Sequence, residues 1–332
     1  MPALLDCLAR SMPHAAIDRA GIERRVLLDR HFEADGFLVV DDPGTACACA
    51  ESGAVAAFAA CFAPPDPARP ATGYVSLMAI APGPAPNNGT LTGAGAAAGD
   101  ALLAGVRRFH EARSRTEVLL SPYAANYFTP GPDKQRDAAL IAFLASRGFV
   151  ETGEALAADA CIATFDMPPD ALAAEARLAA ESVVVRPYGR GDMARLMEFH
   201  RMHMPAPWVE DLRVHLLEMT AGRVAADSVW IAEDHSASTI AAASGMGDCE
   251  APILGFCMHD GEHFGPFGVV DSAQGRGLGT VLLARTLHRM RTKGLHGAWV
   301  LWTGERALAG VYGRLGFTLT RRSAIMRWAL HP

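Results

Sequence analysis

The stretch VVDSAQGRGLGTVLL, residues 269–283, runs from a β-branched pair through three closely spaced glycines into an apolar helical pattern. A strand, a glycine turn and a helix in that order place backbone N–H groups and a helix N-terminus around one point, and glycines let an anion approach the main chain. Arg276 adds positive charge beside them. Two familiar phosphate loops do not fit. A P-loop needs Lys and Ser/Thr after its last glycine, and Thr280 and Val281 follow Gly279. A dinucleotide fingerprint needs G-x-G-x-x-G directly after the strand and an acidic residue about 20 positions on. Here the spacing is G-x-G-x-G, Asp271 to Gln274 intervene, and KGLHGAWVLWT (293–303) has no acidic residue. Two readings stay open at this level: an anion cradle on a helix N-terminus, or an ordinary strand-to-helix turn.

Working outward, the second half of the chain alternates clearly. Strands are expected at SVVVRP (182–187), VWIAED (229–234), ILGFCMH (253–259), HFGPFGVV (263–270) and GAWVLW (297–302), with Asp260-Gly261 as a hairpin turn. Helices are expected over 191–204, 209–220, 279–292 and 305–316, and FTLTRRSAIMRW (317–328) closes as one strand or two. HSASTIAAASGMGDCEAP (235–252) reads as a loose connection.

The first half follows a fainter version of this order. FLVVDD (37–42), GYVSLMAIAP (73–82) and TEVLLS (116–121) read as strands, and 100–112 and 137–149 as helices. AVAAFAACFA (54–63) is a weaker strand signal because alanine is a poor strand former. Two helices end alike, AFLASRGF (142–149) and GVYGRLGF (310–317), with their phenylalanines 168 residues apart. That spacing suits two domains of one type in tandem. DMPPDALAAEARLAAES (166–182) reads as the linker, so the expected domains are 1–165 and 183–332.

The chain has 332 residues, half of them apolar, enough for two cores. Its net charge of −6, with only Lys134 and Lys293 as lysines, argues against nonspecific nucleic-acid binding. Seven scattered cysteines, including Cys47-x-Cys49 but no C-x-x-C, fit a reducing compartment. There is no leader-like apolar segment and no apolar run of membrane-spanning length, so the expectation is a soluble cytoplasmic protein without a membrane partner. His200 and His203 are too few to hold a metal, and none is expected.

Gln274-Gly275-Arg276-Gly277-Leu278-Gly279, with GPFGVV before it, VLLARTLHRMRTKG after it and AGVYGRLGF near the C-terminus, resembles the Q/R-x-x-G-x-G/A signature and flanks of the GCN5-related N-acetyltransferase (GNAT) superfamily. The resemblance covers 183–328. It implies an α/β (α+β) architecture of two tandem acyl-CoA N-acyltransferase domains, each a mixed, largely antiparallel sheet flanked by helices. It also implies acetyl-CoA as cosubstrate. Gln274 to Gly279, with Thr280, would hold its pyrophosphate, and Phe267, Val269 and nearby Val270 would meet its pantetheine arm. Tyr312 matches the tyrosine that protonates the departing thiolate. Many relatives carry Asn seven residues before that tyrosine, where this chain has Glu305.

Glu262, among Asp260, His259 and His263, is the expected general base; a solvated polar turn is the plain alternative. His200, Trp208, Phe264 and Trp302 are expected on the acceptor side. The implied activity is transfer of an acetyl group to an amine, by preference of a small molecule, in a ternary complex by a monomer or homodimer. Protein acetylation and non-catalytic acyl-CoA binding are the rivals. The first half, with TGAGAAAG (92–99) in place of the signature and Leu144 where Tyr312 has its counterpart, is expected to be a structural domain.

Overall fold

The computed structural model describes residues 1–15, 17–42, 54–66, 68–81, 91, 93–123, 128–236 and 250–331. Cys47, Cys49, most of the expected connection at 235–252 and parts of the segments at 82–92 and 126–133 lie outside them. Contacts divide the chain into two compact units: Met1–Leu156 with Arg321–Pro332, and Ala157–Thr320. Among the described residues no helix is long and apolar enough to cross a membrane.

Unit 1 is built on β1 (Phe37–Asp41), β2 (Val55–Phe62), β3 (Thr72–Ile80), β4 (Glu117–Leu120) and the unit's share of β5 (Phe149–Cys161). β1, β2 and β3 are antiparallel neighbours, and β3 runs parallel to β4. The alanine-rich β2 is a fully paired strand. Its alternation explains how: Ala57, Ala59 and Cys61 face α2 (Gly93–Glu111), and Phe58 and Phe62 fill the opposite core against α1 (Pro2–Ser11). Burial on both faces supplies what intrinsic propensity lacks. Helix α3 (Ala138–Ala145) packs on the α2 side through Phe143 and Leu144.

Unit 2 carries β6 (Val183–Pro187), β7 (Val229–Asp234), β8 (Ile253–Asp260), β9 (His263–Val269) and β10 (Gly297–Thr303). Strands β6 to β9 pair antiparallel in sequence order, and Gly261, at φ +55°, makes the tight β8–β9 turn. Helices α4 (Pro169–Ala180) and α7 (Leu278–Thr292) cover one face, and α5 (Met193–His203) and α6 (Ala206–Thr220) the other.

Helix α1 and strand β5 have no counterpart in the sequence reading, and the segments at 166–182 and 317–328 take places it did not give them. The stretch 166–182 contains α4, whose Ala171, Ala174 and Leu178 are buried in the core of unit 2, so it is a packed wall of that unit. The C-terminal residues form one strand, β11 (Thr318–Ala329). From Arg321 on, it belongs with unit 1, because Met326 to Ala329 pair with β4 and Trp328 stacks on Phe149.

Candidate active site

The parallel pair β9–β10 is joined only at its start, where Trp299 faces His263. Beyond that point the strands part. A bulge contributes to the divergence: His259 faces Phe264 and Cys257 faces Phe267, so β9 carries one residue more than β8 between them. Val270 N–H donates to Leu254 of β8. By alternation, the backbone groups of Phe267 and Val269 point the other way, into the gap. The amide of Val270, expected near the same site, is taken by β8.

The gap leads to the glycine loop. Gln274 Nε2 donates to Asp271 Oδ1 at 2.9 Å and to the Val269 carbonyl at 3.3 Å, which stitches the loop to the end of β9. Gly275 and Gly277 have φ of +78° and +87°, a left-handed region that disfavours side chains. Gly277 caps α7, and a Cβ there would lie 3.1 Å from Ala174 Cβ on α4. Buried Leu278 anchors the helix start in the core. The amides of Leu278, Gly279 and Thr280, in the first turn, have no acceptor within the helix. Left-handed glycines, first-turn amides and a nearby arginine are the donor set a diphosphate requires, so these residues fit such a group.

Tyr312 ends a π-helical turn, Leu308–Tyr312, that follows the short helix Glu305–Ala307 in place of the longer helix expected there. Its ring packs edge-on against Phe267 (centroids 6.0 Å apart), Phe264 and Phe317. It is 7 % exposed, and among the described residues its hydroxyl has no hydrogen-bond partner. Burial, with Cys257 nearby, pushes its pKa well above the usual tyrosine value, so the phenol stays protonated.

Glu262 lies at the closed end of the gap. Its Oε1 accepts from the N–H groups of Gly297 (2.8 Å) and His296 (3.2 Å), and its carbonyl accepts from Trp299 N–H. Seven strand residues separate it from the loop, roughly 23 Å at strand rise. Its observed contacts hold the start of β10 to β9.

The residues expected on the acceptor side do not form one wall. His200 is fully buried on α5, with its ring centroid 4.1 Å from that of Phe256. Its Nδ1 faces the Leu196 carbonyl, Nε2 is without a partner among the described residues, and burial pushes its pKa down to about 4. Trp208, half-buried on α6, meets the same Phe256 ring. Phe264, 1 % exposed, sits in the core on the opposite, α7 face. Trp302, 44 % exposed, shares a face of β10 with Ala298 and Val300, again the α7 side. Met204, between α5 and α6, was not singled out in the sequence. A Cβ on Gly268 of β9 would meet its sulfur at 2.6 Å, so it lies directly over β9. No local pattern marks it.

No family model matches the sequence, and no curated protein matches it. Solved structures do match. One is a GCN5-related glucosamine N-acetyltransferase region of a fungal multi-domain GH3 β-N-acetylglucosaminidase, with TM-score 0.75 and 13 % identity over 98 % of this chain. This chain spans 36 % of the length of that protein. A GCN5-related N-acetyltransferase from Sphaerobacter thermophilus matches with TM-score 0.66 and 14 % identity, over 99 % of this chain and 92 % of its own. A tandem GNAT protein from the clavulanic acid biosynthesis pathway matches with TM-score 0.57 and 17 % identity, over 100 % and 95 %. The fold is that of the GCN5-related N-acetyltransferases, in tandem.

In this GNAT frame, unit 2 carries the glycine loop, the parted strands and Tyr312. In unit 1, the position matching Tyr312 holds Leu144, fully buried against α2, so no phenol stands there. Among the described residues no cluster of three His, Cys, Asp or Glu side chains is arranged to hold a metal.

Proposed function

We propose that the chain is an acetyl-CoA-dependent N-acetyltransferase acting on a small-molecule amine, with its chemistry in unit 2. The observation that carries this reading is the juxtaposition of a parted β9–β10 pair, a loop of left-handed glycines at its end, and Tyr312 packed on Phe267 beside it. Acetyl-CoA would supply the acetyl group as a thioester. Gln274 to Thr280 would hold its diphosphate, and the backbone groups of Phe267 and Val269 would pair with its pantetheine amides, as an added strand does. An N–H of β9 facing the gap would polarise the thioester carbonyl.

The acceptor nitrogen attacks that carbonyl, the C–S bond breaks, the nitrogen's proton passes to solvent, and the sulfur leaves as a thiolate that must gain a proton. Tyr312 gives that proton and regains one from solvent as the product leaves. Burial keeps the phenol protonated, so the hydroxyl holds the proton to be given. Glu262, already engaged with two main-chain N–H groups, acts as a positioning residue for β10 rather than as the base. Met204 and Trp208 would border the acceptor. The neighbour described as a glucosamine N-acetyltransferase region supports a small amine as the acceptor.

The test is thiol release from acetyl-CoA against a panel of amino sugars, polyamines, amino acids and lysine peptides, with CoA binding measured by calorimetry. Acetylation of a small amine that Tyr312→Phe slows supports the proposal. Acetylation of peptides alone favours the open-groove rival, binding without turnover favours a sensor, and no CoA binding overturns all three.

A further inference from the structure

Helix α4 and its C-cap residue lie outside the stretch that carries the glycine signature, yet they hold the loop at one residue by two different groups. Arg177 Nη2 donates to the Arg276 carbonyl at 2.7 Å. Four residues on, Glu181 Oε2 pairs with Arg276 Nη2 at 2.5 Å. The helix itself is fixed. Ala171, Ala174 and Leu178 are buried in the shared core, and Glu175 grips Arg285 of α7 through both carboxylate oxygens.

Each contact has a consequence for an anion at the loop. In a trans peptide the C=O and the following N–H point in opposite directions. Arg177, by taking the Arg276 carbonyl toward α4, turns the Gly277 N–H away from α4. The side-chain pair is different in kind. Arg276 is 36 % exposed and Glu181 42 % exposed, and such a pair contributes little to stability. Hydrogen bonds from Ser236, and then the charge of Arg276, hold the Asp234 carboxyl below its usual range.

We infer that Glu181 is a counter-ligand for Arg276: its carboxylate holds the guanidinium until the diphosphate of acetyl-CoA displaces it, so that α4 tunes the affinity of the loop. Arg177 is a positioning residue for the same loop. The inference rests on the reading of this loop as the acetyl-CoA site. A diphosphate carries more charge than one carboxylate and accepts the arginine fork at two oxygens, so the exchange is favourable once it arrives.

The test is calorimetric titration of the full chain with CoA, for wild type, Glu181→Gln, Glu181→Ala, Arg276→Gln, Arg177→Gln and the double variant Glu181→Gln/Arg276→Gln. Thermal melts check that each is folded. Both Glu181 variants should lower Kd about three- to fivefold, the equivalent of an exposed pair. Arg276→Gln should raise Kd about tenfold, and in that background Glu181→Gln should give no gain. Arg177→Gln should raise Kd several-fold with Arg276 intact. An unchanged or raised Kd for Glu181→Gln would mean that the carboxylate props the loop, and the inference falls. An equal gain in the Arg276→Gln background would also overturn it, as a general charge effect. Both results require a wild type that binds CoA. A wild type that does not bind overturns the underlying site reading instead.

Discussion

Gly277→Ala tests the loop at its most constrained point. The residue sits at φ +87°, where an L side chain costs about 1–2 kcal/mol. Its new Cβ would also lie 3.1 Å from Ala174 Cβ and 3.2 Å from Arg177 Nη2. Ala174 is on a helix packed into the core, and the tip of Arg177 is held by the Arg276 carbonyl, so neither yields freely. Relieving both contacts adds about 1 kcal/mol. A loop that must keep this shape to bind a diphosphate then loses about 2–3 kcal/mol of binding free energy, a rise in CoA Kd of roughly 30- to 150-fold.

Gly275→Ala is the internal comparison. Its φ is +78°, but a Cβ there meets nothing within 4 Å, so only the backbone cost of about 1–2 kcal/mol applies, roughly 5- to 30-fold. Calorimetric titration of both variants with CoA reads the order directly. Binding by Gly277→Ala within twofold of wild type would refute the assignment of this loop conformation to the anion.

Three further outcomes follow from the same geometry. Tyr312→Phe removes a hydroxyl without a partner among the described residues, so thermal stability should change by less than about 0.5 kcal/mol while kcat falls by about 10²-fold at unchanged CoA affinity; unchanged kcat would remove Tyr312 from the chemistry. Glu262→Gln retains an oxygen for the Gly297 and His296 N–H groups and should keep kcat within about fivefold, whereas Glu262→Ala should lose about 1–2 kcal/mol of stability in denaturant unfolding; a 10²-fold loss of kcat in Glu262→Gln at full stability would restore it as the base. His110, His200 and His215 are held neutral by burial, with pKa pushed down to about 4. The unfolded chain takes up protons first, so stability present above pH 6.5 should be lost as pH falls from 6.5 toward 4, by about 2 kcal/mol per histidine between pH 7 and 5, and unfolding curves that superimpose at pH 7 and 5 would contradict that burial.

Much of the site could be read locally. The glycines at 275 and 277 are needed by a turn a few residues long, and the hairpin at Asp260-Gly261 and the Tyr312–Phe317 ending are equally local. Such features depend on near neighbours in sequence, so residue type and spacing reveal them. The same holds for the strand order of unit 2, because period-2 alternation and short turns leave few pairings.

What only the tertiary structure decided depends on partners distant in sequence. A bulge in β9 and packing from Phe317 and Tyr312 seal Phe264 into the core, although its residue type suited an aromatic wall. Glu262 is occupied by amides 34 and 35 residues away. Helix α4 looked like a linker because alanine gives little hydrophobic contrast, yet small side chains are what let it approach α7 and place Arg177 and Glu181 on the loop. The sequence by itself therefore determined the glycine cradle, the position of the tyrosine and the order of elements from β6 to β10. Three-dimensional packing decided which side chains are walls, which are anchors and which face the gap, because burial is a property of the neighbours a residue meets and not of the residue alone.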